Sequence, residues 1–187
     1  MGMKISTPLT KDDVRKLRCG DRVLLSGEVY TARDAAHARF MDSIGKGEAL
    51  PFDVENAIVY YVGPTPARPG RVIGSAGPTT SGRMDVYTPA LISLGLAGMI
   101  GKGNRRPEVV EAMQKHSAVY FSAIGGAGAL LADCIESSEV AAYEDLGAEA
   151  IRRLIVKDLP LIVVIDCEGN DLYIQGREEY LQYRDRV

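Results

Sequence analysis

The 187-residue sequence is poor in the residues that build metal and disulfide sites: it has three cysteines and two histidines. Cys19, Cys134 and Cys167 are odd in number and widely spaced, which argues against a disulfide framework. No C-x-x-C pair is present to begin a zinc or iron–sulfur site. Cys134 and Cys167 stand beside apolar runs and read as small core residues, and His37 and His116 are too few for a histidine-rich metal site. Long apolar runs are missing as well. "LIVVI" at 161–165 is far short of the roughly 20 residues that a spanning helix needs. A polar, charged stretch follows Met1 in place of a secretory signal, so a cytoplasmic protein that does not enter a membrane is expected. No internal repeat or low-complexity linker divides the chain. Its length and its 46% apolar content suit one domain over 1–187 with a substantial core.

Acidic charge is scarce in one place only. The formal net charge is −3, yet residues 63–106 carry six basic side chains against a single acid, Asp85. The remaining chain is balanced up to residue 62 and strongly acidic after 106. A compact basic segment in an acidic protein points to a local anion site, not to a nucleic-acid surface. No aromatic residues interleave with those arginines, which weakens a single-strand binding reading further.

The elements alternate. Thr10, Asp12 and Asp13 suit the cap and acidic first turn of a short helix through Leu17. A strand follows the Gly20–Asp21 turn. Asp34 is placed to cap a helix that Gly45 or Gly47 stops. "NAIVYYVG" is a strand, 64–75 a turn-rich crossing with three prolines, and "RVIGSAG" a strand. "VYTPALISLG" reads as a helix, "GLAGMIGKG" as a strand and "RPEVVEAMQKHS" as a helix. A strand at 118–124, a glycine-rich bend and helical material in "EDLGAEAIRRLIV" come next. "LPLIVVIDCEGNDLYIQG" reads as strand, turn and second strand, followed by a polar tail. This alternation favours a layered α/β or α+β domain.

Two glycine-rich stretches dominate the basic segment. In "GPTTSGRMD", Gly77 and Gly82 bracket Thr79, Thr80 and Ser81, so backbone N–H groups and hydroxyls can converge on an anion. Arg83 adds a planar donor fork, and a helix beginning just beyond would favour negative charge further. The plainer alternative is a turn whose hydroxyls cap that helix. The stretch lacks the lysine of a G-x-x-x-x-G-K-[ST] loop, and "GGAGALLA" at 125–132 departs from the dinucleotide pattern, so a nucleotide fits poorly. Lys102, between Gly101 and Gly103, is placed to neutralise an anion or relay a proton. Arg33, at a strand–helix junction with His37 one turn on, reads either as a second carboxylate clamp or as one half of a surface ion pair. Together these residues suit a small polycarboxylate.

"YTARDAAH", "GPTTSGRMD" and "GKGNR", in this order and spacing, resemble the beta-subunit, or C-terminal catalytic half, of class I iron–sulfur hydro-lyases. That family includes fumarate hydratases and L-tartrate dehydratases, and the resemblance runs from about residue 5 to 180. It implies a layered swivelling β/β/α domain of α/β class. It also implies an iron–sulfur alpha-subunit as partner, carrying a [4Fe–4S] cluster that this chain does not ligate. Carried over by motif, Arg33, Thr79, Thr80, Arg83 and Lys102 would bind substrate, and Thr79 and Lys102 would take part in catalysis. The expected activity is reversible dehydration of malate to fumarate, a small dicarboxylate, with the partner's free iron as Lewis acid. An α2β2 assembly and a homodimer of the isolated chain are both compatible with it; no nucleic acid or membrane partner is implied. Two alternatives stay open: an L-tartrate dehydratase beta-subunit, and a non-catalytic anion-binding scaffold domain.

Overall fold

The computed structural model describes residues 2–184. In chain order the elements are β1 (Met3–Ser6), α1 (Lys11–Val14), β2 (Arg22–Thr31), α2 (Asp34–Lys46), β3 (Ile58–Tyr60), α3 (Thr88–Ser93), β4 (Gly98–Gly101), α4 (Pro107–His116), β5 (Val119–Ser122), α5 (Gly128–Ala132), β6 (Ile135–Ala142), β7 (Ile151–Ile165) and α6 (Leu172–Arg184). A 3₁₀ turn covers Ser81–Arg83, and a 3₁₀ segment kinked at Gly147 covers Glu144–Glu149. Among the described residues no helix is long and apolar enough to cross a membrane.

Strands β2, β3, β4 and β5 run parallel in that spatial order. The long β7 is antiparallel to both β5 and β2, which closes the ring into a barrel. β1 and β6 add to its outer edges, on β2 and β7 respectively. Closure leaves fewer unpaired edges than an open sheet would.

Side chains alternate across the sheet as strand geometry requires. Ile58, Tyr60, Ile100, Val119 and Phe121 join one buried cluster with Leu25, Val29, Leu154 and Val163. Their neighbours Val59, Met99 and Tyr120 belong to a second cluster on the opposite face. There Phe40 of α2, Leu91 and Ile92 of α3, and Val109 and Met113 of α4 cover the sheet. The result is the layered β/β/α arrangement of a mixed α/β domain with a closed barrel at its centre. α1 begins with the expected cap: Thr10 Oγ1 accepts the Asp13 N–H at 3.2 Å, and the Asp13 carboxylate returns to the Thr10 N–H at 3.2 Å.

Several local expectations fail. "RVIGSAG" forms no strand. It folds back on the proline-rich crossing, where the Thr65 N–H bonds the Ser75 carbonyl and the Ser75 N–H bonds Thr65 Oγ1. The expected helix in "EDLGAEAIRRLIV" is a 3₁₀ turn followed by β7. Ile151 and Leu154 share a helical spacing, but the β-branched run beyond them pairs with β2 and β6. The second strand after "CEGN" contributes one isolated bridge, Ile165 to Asp171. Asp171 instead accepts the Tyr173 N–H at 2.8 Å and starts α6, which also takes up most of the expected polar tail. β1 and the polar β6 carry too little apolar alternation to be read in sequence. Cys134 and Cys167 are only partly buried, packed against the edge of the barrel cluster.

Candidate active site

Parallel strands deliver the loops that follow them to one end of the barrel, as in open parallel sheets where ligands sit outside the carboxyl ends of strands. Arg33 lies two residues beyond β2, Tyr61–Gly63 follow β3, Lys102 follows β4 and Gly125 lies just past β5. The "GPTTSGR" loop is laid along this rim by backbone pairing. The Thr79 N–H donates to the Tyr61 carbonyl at 2.8 Å, Pro78 bridges to Val62, and Thr80 bridges to Lys102.

This brings together the residues singled out by sequence. Arg83 Nη2 donates to Thr79 Oγ1 at 2.6 Å and stands 3.4 Å from Asp34 Oδ2. Arg33 Nη2 lies 3.8 Å from the same Asp34 oxygen and 3.2 Å from Glu149 Oε1. Both arginines therefore meet around one carboxylate oxygen of the chain itself. Arg33 is largely covered, with a side chain 22% exposed, whereas that of Arg83 is 46% exposed. A Cβ on Gly63 would come within 2.6 Å of Arg33 Nη1, so a side chain there would displace the Arg33 guanidinium. Lys102 is exposed, and a Cβ on Gly125 would lie 3.9 Å from its Nζ. Thr79 is half-buried and Thr80 is exposed at the start of the 3₁₀ turn.

Two expectations at the rim are corrected. Asp34 does not cap α2: Arg33 occupies the cap position without a capping side chain, and Glu149 Oε2 accepts the Ala35 N–H at 3.0 Å in its place. Sequence could not find Glu149, because it arrives from 114 positions beyond Ala35, through the 3₁₀ segment before β7. No helix starts directly beyond "GPTTSGR" either. The 3₁₀ turn intervenes and α3 begins only at Thr88, so the loop's hydroxyls cap nothing. Ser81 turns inward, with its Oγ 2.9 Å from Tyr120 Oη.

Beneath the rim lies an ion pair that sequence reading missed. Arg105 Nε donates to Asp85 Oδ1 at 2.7 Å, with side chains 0% and 1% exposed. The signal was present in the charge pattern. Asp85 is the one acid among the six bases of 63–106, and it is buried against one of them.

His37 is also buried. Its Nδ1 is 2.8 Å from the Arg33 carbonyl, which assigns the proton to Nδ1, and its ring packs edge-on to Phe40 and Tyr61. Burial is the main cause that pushes its pKa down to about 4, with Arg105 adding to it against the bond to Arg33. The imidazole is thus a neutral support for the Arg33 backbone. Below pH 6.5 the unfolded chain takes up a proton that the folded chain refuses until about pH 4, so stability falls as pH drops through that window. The loss amounts to about 3 kcal/mol at most. Urea unfolding at pH 7 and pH 4.5 should show a smaller pH-dependent loss in His37→Gln than in the parent. Equal losses would mean that His37 titrates normally in the folded state.

The three cysteines are free thiols. Burial, then Asp166, Asp171 and Asp21, push the Cys19 thiol up to about 11, and burial raises Cys134 and Cys167. Among the described residues no group of three or more His, Cys, Asp or Glu side chains could hold a metal ion.

Comparison with known proteins gives the chain's family. A family model described as "Fumarase C-terminus" matches residues 2–176. Fumarate hydratase 2 of Leishmania major is 41% identical over 156 residues, covering 82% of this chain and 28% of that protein. The aerobic class I fumarate hydratase of Escherichia coli K12 is 40% identical over the same length and the same shares. The putative L(+)-tartrate dehydratase subunit beta of Methanocaldococcus jannaschii is 39% identical over 171 residues, 88% of each chain. The chain thus spans about 28% of the length of these fumarate hydratases and nearly all of the shorter subunit. A barrel of this topology, the three motifs at its rim and these matches together place the chain in the class I fumarate hydratase and tartrate dehydratase family, as its C-terminal catalytic domain.

Proposed function

We propose that this chain is the beta-subunit of a fumarate hydratase that interconverts malate and fumarate together with an iron–sulfur alpha-subunit, in an α2β2 assembly. The observation that carries the reading is the meeting of Arg33, Thr79, Arg83 and Lys102 on one rim, with guanidinium nitrogens of Arg83 and Arg33 at 3.4 and 3.8 Å from a single Asp34 oxygen. A [4Fe–4S] cluster does not fit this chain's own thiols, so it is assigned to the partner, and the departure of the C2 hydroxyl is left to that side of the site.

What this chain's residues do follows from charge. Removing the C3 proton of malate builds negative charge on the adjacent carboxylate, and Arg83, Arg33 and Lys102 stabilise it in place. A substrate carboxylate at Arg83 and Arg33 takes over the position in which Asp34 is their counter-ion. Thr79 is the proton acceptor of this reading. A threonine hydroxyl is a weak base, and the Arg83 N–H donated to Thr79 Oγ1 favours its deprotonated form. Thr80 shapes the loop beside it, and Lys102, on the adjoining loop after β4, adds positive charge to the site.

Anaerobic co-expression with an alpha-subunit bearing cluster cysteines, assayed for fumarate formed from malate, tests the reading. Turnover by the complex supports it; a stable complex inactive on malate and fumarate overturns it. Lys102→Ala should lower kcat by about 100-fold while the melting temperature stays within a few degrees, as suits an exposed rim residue. Loss of the folded chain would make Lys102 structural. The near-complete overlap with the Methanocaldococcus jannaschii subunit favours a second reading, L-tartrate dehydration to oxaloacetate. Oxaloacetate formed from tartrate, without fumarate from malate, would select it.

A further inference from the structure

We propose that the buried Asp85–Arg105 pair is a positioning strut that sets the separation of Arg83 and Lys102. Neither side chain reaches the surface, so neither meets substrate. The inference rests on the proposed reaction, in which those two cations act on one substrate.

Each half of the strut belongs to a different rim loop. Asp85 lies two residues after Arg83, and Arg105 lies three after Lys102. The Asp85 carboxylate takes Arg105 Nε on one oxygen and the Arg106 N–H on the other, both at 2.7 Å. The guanidinium also donates from Nη2 to Thr88 Oγ1 at 3.0 Å. It lies 4.9 Å from the centroid of the Tyr120 ring and 5.4 Å from that of Tyr61. Burial works against its charge, but Tyr61, Asp85 and Tyr120 outweigh that and keep Arg105 above the usual arginine value.

A second set of bonds fixes the same two loops above the strut. The Ser81 N–H donates to the Lys102 carbonyl at 2.9 Å, and the Lys102 N–H donates to Ser81 Oγ at 3.1 Å. Tyr120 Oη donates to the Gly103 carbonyl at 2.9 Å, so the Ser81 hydroxyl is left to donate to Tyr120. Tyr173 Oη accepts the Gly103 N–H at 3.1 Å. A Cβ on Gly101 would overlap Ser81 Oγ, so the loops touch with no room for a side chain between them.

A buried ion pair is seldom more stabilising than an apolar pair of similar volume; what it adds is direction. The apolar replacement therefore separates packing from positioning. In the assembled complex, Asp85→Leu/Arg105→Met should stay folded within a few degrees of the parent. Its kcat should fall by about 100-fold while KM for malate changes by less than about 3-fold, because small misplacements tell most in the transition state. Arg105→Lys keeps the charge and loses the fork, and should show the same split to a lesser degree. A folded double variant with kcat within about 3-fold of the parent would overturn the proposal. Should that variant not fold, Arg105→Lys at parental kcat would overturn it equally. Hydrogen exchange in the unmodified complex gives an arm independent of turnover. The Lys102 and Arg106 amides should exchange as slowly as core amides of β5. Exchange about 100-fold faster would overturn the strut, whereas an inactive parent complex with slow exchange would count against the reaction alone.

Discussion

Replacing Arg83 by methionine should lower kcat/KM for malate by roughly 30- to 1,000-fold in the assembled enzyme, a loss of about 2–4 kcal/mol. Methionine keeps much of the length and apolar stem but none of the donors. Two contacts disappear: the bond to Thr79 Oγ1 at 2.6 Å and the approach to Asp34 at 3.4 Å. The first is the one that tunes the proposed proton acceptor, so kcat should fall along with affinity. Assembly and melting temperature should hold, because the side chain is 46% exposed and its ion pair lies in high dielectric. Steady-state assays with malate and fumarate, beside size-exclusion chromatography, read both arms. Turnover within a factor of three of the parent would remove Arg83 from the site.

Arg105→Met should do the reverse to the chain's stability. Removing one partner of a buried pair strands the other charge, at a cost of about 3–5 kcal/mol. For a chain of this size that corresponds to a fall in melting temperature of roughly 6–20 °C. Asp85 would keep the Arg106 N–H but lose its counter-charge, and Thr88 Oγ1 would lose its Nη2 donor. Calorimetry on the isolated chain makes the comparison. Restoration of most of the loss by adding Asp85→Leu would show that the stranded carboxylate, not a cavity, causes it. A single variant as stable as the parent would mean that Asp85 finds other partners.

The rim motifs were legible because their chemistry is local. Gly77, Gly82 and the hydroxyls between them announce a backbone turned toward an anion, and Lys102 between two glycines announces exposure. The strands of the ring were legible where apolar residues run without a break, as in Ile58–Tyr60 and Val119–Ser122, both buried on two faces. What stayed hidden depends on long-range pairing. Glu149 reaches Arg33 only because β7 returns beside β2, and the Arg152–Arg153 step hid that strand behind a helical spacing. Nothing in the local sequence marks Asp85 and Arg105 as a pair. Their burial follows from how the loops after β3 and β4 are pinned together, which no window of sequence contains. Tyr173, within a segment read as a strand, reaches Gly103 only because α6 begins at Leu172.

The closing strand has a consequence for how the chain is made. Val23 pairs with Leu161 and Tyr30 with Arg153, so the first long strand waits for almost the whole sequence before its second edge is covered. During synthesis β2 to β5 emerge as a parallel sheet whose outer strands still offer free N–H and C=O groups. Such late, distant pairing slows folding and lengthens the exposure of sticky edges. Yield of active protein is therefore set partly by how quickly β7 arrives, and a truncation before Ile151 should give a chain that aggregates instead of a smaller stable domain.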